Sequence, residues 1–172
     1  MKLRFPAALL ALTLALTLTL ISGCGIYSFK SGKIKDGIKT VSVELFENQA
    51  QLVNPVLAVD LTEKIKDKFI SQSSLRLANF DGDMAFEGQI VQYDVRPVAI
   101  QGNETAASNR LTIGLKVKYT CEKYPEDSWD KTFQQFSDFG SSLSLNDVEA
   151  DLVKDIVDRL SQDIFNKALS NW

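Results

Sequence analysis

No histidine occurs anywhere in the 172 residues, and there are only two cysteines and four prolines. The missing histidine removes the commonest general base near neutral pH, the HExxH zinc helix and every Cys/His metal cluster. A glycine-rich phosphate cradle is also lacking. So is an excess of positive charge, since 19 Lys and Arg stand against 22 Asp and Glu. A mildly acidic chain is not built to hold nucleic acid through a general field, so affinity for an anion must come from local basic groups. Asp81-Gly82-Asp83 lacks the further ligands of a calcium loop and reads as a turn. No catalytic residue, metal or cofactor is expected, and the chain does not read as an enzyme.

What is present starts at the N-terminus. Lys2 and Arg4 precede an unbroken run, Ala7 to Ile21, of only Ala, Leu, Thr and Ile. A basic start, a short apolar run and small residues at the cut make residues 1–23 a signal peptide. The run falls short of the roughly 20 apolar residues of a membrane crossing. Ile21-Ser22-Gly23-Cys24 resembles the lipobox of bacterial lipoproteins, which implies that Cys24 becomes the first mature residue and carries covalent lipid. Several acyl chains, at roughly 0.8 kcal/mol per buried methylene, would hold the protein at a membrane. The alternative is a secreted protein cut after Gly23. With Cys24 acylated, Cys121 has no partner, and its place on the apolar parity of a strand makes it a small core residue.

Residues 24–37 read as a tether and residues 38–172 as a single domain. From Ile38 the chain alternates, with Val41, Val43 and Leu45 facing one way. Asn54-Pro55 starts a helix whose stripe is Leu57, Leu61, Ile65 and Phe69. Met84, Phe86 and Ile90 share one parity while Val91, Tyr93 and Val95 share the other, so a bulge near Ile90-Val91 re-phases that strand. Leu111 to Cys121 alternates cleanly, Tyr124 to Ser128 turns, and Trp129 to Phe139 forms another strand. Asn146 and Glu149 resemble a capping box opening a helix with the stripe Leu152, Ile156, Leu160 and Ile164. The order strand-helix-strand-strand-strand-helix predicts an α+β two-layer sandwich. It should have a four-stranded, mostly antiparallel sheet with both helices on one face.

Two surfaces could bind. The segment 97–109 is long for a hairpin turn and reads either as a solvated loop or as two protruding strands. Lys116 and Lys118 stand on the polar face of one strand, with Arg96 and Arg110 available beside them, and such a ridge could contact phosphates. A merely solvated strand face is the competing reading.

Several phrases, taken in order, resemble the LptE family of lipopolysaccharide-assembly lipoproteins. They are Gly23-Cys24-Gly25-Ile26-Tyr27-Ser28-Phe29, Ile38 to Val43 leading to Phe46-Glu47-Asn48, Phe86-Glu87-Gly88-Gln89-Ile90, Arg110-Leu111-Thr112-Ile113, and Asp163-Ile164-Phe165-Asn166 through Trp172. The resemblance implies a non-catalytic plug within the large outer-membrane β-barrel LptD, aiding its assembly, with lipopolysaccharide as ligand. It implies attachment to the outer membrane through the lipid, on its periplasmic side or within the barrel lumen. Lys116, Lys118, Arg96 and Arg110 are the candidate lipopolysaccharide contacts. The alternative is an envelope lipoprotein that activates or pilots a cell-wall synthase or a secretion machine.

Overall fold

The computed structural model describes residues 34–52, 54–98 and 108–169. The leader, Cys24, most of the tether and the centre of the 97–109 segment lie outside them. Six strands and two helices follow in the order β1 (Thr40–Val43), β2 (Glu47–Asn48), α1 (Leu57–Gln72), β3 (Arg76–Leu77), β4 (Met84–Val98), β5 (Ser108–Cys121), β6 (Trp129–Gly140) and α2 (Leu145–Leu169). A 3₁₀ turn at Pro125–Asp127 joins β5 to β6.

The sheet order is β3-β1-β4-β5-β6, with β2 also beside β4. The expected meander is present, since β4, β5 and β6 pair antiparallel in succession. The expectation of four mostly antiparallel strands needs correction. β1 runs parallel to both β3 and β4, and β2 runs parallel to β4. The cause is α1, a sixteen-residue crossover that returns the chain to the end from which it came, so the next strands repeat the direction of β1. β2 and β3 are two residues each, too short to leave a periodicity.

Both helices lie on one face, as a run of rings shows. Phe165 of α2 meets Phe69 of α1 at 5.2 Å, Phe69 meets Phe86 of β4 at 4.9 Å, and Phe86 stacks on Tyr119 of β5 at 4.9 Å. Trp129 of β6 extends it. Leu57, Leu61, Ile65 and Phe69 are fully buried, as the four-residue spacing predicts. Each such side chain contributes roughly 1.5–3 kcal/mol of burial. The alternating set from Leu111 to Cys121 is buried as well, and Cys121 is a core residue with a free thiol.

Three local expectations fail. Leu45 does not continue the inward parity of β1 but is 63% exposed, because the chain leaves the sheet after Val43 and buries Phe46 instead. α2 begins at Leu145, and Glu149 does not fold back on its own helix start. Its carboxylate accepts hydrogen bonds from Tyr93 Oη and from Asn54 Nδ2, joining sheet, α1 entry and α2. Asn54 is not itself the cap residue, since the helix starts at Leu57 with Val56 in the cap position, but it closes the turn leading in, its Oδ1 accepting the Val56 and Leu57 amides at 3.1 and 3.2 Å. The bulge falls where parity places it, with Ile90 opposite Leu115, Gln92 opposite Gly114 and Val91 left over.

Candidate functional site

With both helices on one face, the opposite face of β4-β5-β6 is the one on which the polar parity of β5 lands. Pairing register places all four candidate basic residues there. Lys118 sits between Glu87 of β4 and Asp130 of β6, Lys116 between Gln89 and Thr132, and Arg110 between Arg96 and Asp138. The alternation thus orients the residues correctly. It does not make them neighbours. Arg110 and Lys116 are six strand positions apart, about 20 Å at 3.3 Å per residue, so the ridge is two clusters rather than one.

Each cation already faces a carboxylate. Lys118 Nζ lies 3.0 Å from Glu87 and Lys116 Nζ 3.5 Å from Asp130, in exposed pairs that contribute little to stability. The lysines border a shallow depression of about 230 Å³ whose lining also includes Glu44, Glu47, Glu87 and Asp130. Four acids and two lysines make its formal charge negative. At the other cluster Arg96 Nε contacts Asp94 at 2.5 Å, and Arg110 grips Asp138 with two bonds of 2.7 and 2.8 Å while its guanidinium lies 3.7 Å over the Phe136 ring. The fork holds the Asp138 carboxyl below the usual range and Arg110 above its own. An arriving phosphate would have to displace these carboxylates or take the spare N–H donors. Lys116 and Lys118 keep more than half of their side-chain surface open.

Glu87 and Asp130, the carboxylates flanking Lys118, went unremarked in the sequence although their strand parity marks them as outward-facing. The other displaced carboxyls are clasps. Asp83 pairs with Lys123 at 2.8 Å and accepts from Lys39 N, Thr40 N and Thr40 Oγ1 at 2.8–2.9 Å, and the lysine first, then these donors, pull its pKa far below the ordinary carboxylate value. The supposed calcium signature Asp81-Gly82-Asp83 is therefore a turn whose last residue fastens β1. Among the described residues no three His, Cys, Asp or Glu side chains come together to hold a metal ion. No helix among them is long and apolar enough to cross a membrane.

These features define a class: a small α+β domain with two helices on one face of an open mixed sheet and an accessible, charge-paired opposite face. A minor lipoprotein from Acinetobacter baumannii has this fold, with a TM-score of 0.52 at 16% identity over 78% of this chain and 94% of that one. An uncharacterized lipoprotein B from Nitrosomonas europaea follows at a TM-score of 0.49 and 12% identity, over 80% and 90% of the two chains. The model of the LptE family, described as lipopolysaccharide-assembly, matches residues 38–168, and the chain belongs to that family. No curated protein sequence matches it.

Proposed function

We propose that this protein is the lipid-anchored, non-catalytic subunit of an outer-membrane lipopolysaccharide translocon. In this reading it is held at Cys24, plugs and helps assemble an LptD-type β-barrel, and contacts lipopolysaccharide as it enters the outer leaflet. The observation that carries the reading is the family match over nearly the whole folded domain. The sequence adds the lipobox at Cys24 and a tether, Gly25 to Asp36, of at most about 40 Å. The covalent lipid replaces any need for a membrane-spanning helix, and Lys116, Lys118, Arg96 and Arg110 offer donors to phosphate groups. The test is affinity purification of the tagged full chain from native outer membranes, with mass identification of what accompanies it. A large β-barrel protein in the eluate is the expected result. A clean eluate without one overturns the proposal.

A further inference from the structure

The two helices do not pack evenly along their lengths. Towards their C-terminal ends they close tightly: Phe69 meets Phe165, Ser161 is fully buried, and Lys68 reaches Gln162 at 3.0 Å and Asp158 at 3.5 Å. Lys64 adds a 3.0 Å bridge to Asp158. Towards their N-terminal ends an opening lies between them, bridged among the described residues by the Asn54–Glu149 bond at 3.0 Å. Between these two fixed points lies a crevice of about 500 Å³, within the size range of sites that take ligands.

Its floor is aliphatic, formed by Val153 and Val157, and Val56 stands 56% exposed at its mouth. Its walls carry Asp60, Glu63, Asp67 and Glu149 against Lys64 and Lys154. Glu63 is paired with Lys66 and Lys64 with Asp158, whereas Asp60 and Asp67 have no ion pair among the described residues. Those two carboxylates are two helical turns apart on α1, about 10 Å. An apolar floor beneath two unpaired carboxylates selects a ligand with an aliphatic centre and a positive charge at each end. A phosphate or an anionic lipid head would meet the wrong field, so this crevice is chemically distinct from the lysine-bearing sheet face.

We propose that the crevice between α1 and α2 is a docking site for an extended, cationic segment of a partner protein, with an aliphatic side chain on Val153 and Val157 and flanking Lys or Arg residues at Asp60 and Asp67. The proposal is independent of the lipopolysaccharide reading. It is tested by fluorescence anisotropy of a labelled Lys-Leu-Val-Leu-Lys peptide titrated with the full chain. Two variants serve as controls: Asp60→Lys with Asp67→Lys, which reverses the rim, and Ala150→Trp, which fills the crevice from an exposed position. Saturable binding that each variant weakens about tenfold, and that salt weakens in the wild type, is expected. Thermal unfolding of the variants should match the wild type. The proposal is overturned if the wild type does not bind the peptide or if both variants bind it equally well. It is also overturned if dodecyltrimethylammonium binds where the peptide does not, which would make the crevice a small-amphiphile site.

Discussion

Gly88 faces the core from β4, and a methyl group on its Cα would lie 2.0 Å from the Phe46 ring. The missing side chain is the space that Phe46 fills after leaving the sheet. Gly88→Ala should therefore destabilise the domain by about 1–3 kcal/mol through overpacking. Combining it with Phe46→Leu should restore part of that loss, as chemical denaturation of the four proteins in the cycle would show. An equal loss in both backgrounds would refute the contact. Asp83 gives a pH-dependent case. Its folded pKa lies below the ordinary value near 3.9, so its contribution is fully present above about pH 4 and disappears as the pH falls below that. Asp83→Asn should cost about 1–2 kcal/mol at pH 7, with the gap to wild type closing in acid. Tyr93 works with the opposite sign. Burial, and then its bond to Glu149, push its phenol up to about 12, so the stability it supplies holds below pH 10 and fades between 10 and 12. Ultraviolet titration should show two tyrosines ionising late, because burial raises Tyr119 still further, and Tyr93→Phe should remove the earlier of the two late steps. None of these roles is legible in the sequence, because each partner is far away in the chain.

At the scale of elements, periodicity reveals what spans more than about two turns or four strand positions. The stripes of α1 and α2 and the alternation of β5 name their buried residues correctly, and the change of parity in β4 does so for Ile90 and Tyr93 but not for Val91, which is the bulged residue itself. The bulge also yields a sharp expectation. Val91 is the one unpaired residue between Ile90 and Gln92, and it is 42% exposed. Deleting it leaves Ile90 and Tyr93 still facing the helices, so the shortened protein should fold with native-like circular dichroism and only a modest loss of stability. Collapse of the deletion variant would show that the local bend itself is required. Parallel pairing was not legible, because β2 and β3 are set by hydrogen bonds to distant strands rather than by their own composition. Glu149 misled for a related reason: a capping-box spacing says nothing about a tyrosine 56 residues away.

The whole molecule divides into a helical layer with an acidic crevice and an open sheet face with paired lysines. Strand parity revealed which face the lysines occupy but not that each has a carboxylate beside it. If lipopolysaccharide is the ligand as proposed, replacing Lys116 and Lys118 together with Ala should weaken its binding several-fold without changing the melting temperature, since exposed pairs contribute little to folding. Unchanged binding would assign these lysines to solvation alone. One further consequence follows from where β1 lies. It is flanked by parallel neighbours on both sides, and Asp83 clasps its first amides. Tension along the axis of β1 would shear its cross-strand bonds together, instead of peeling them apart one at a time.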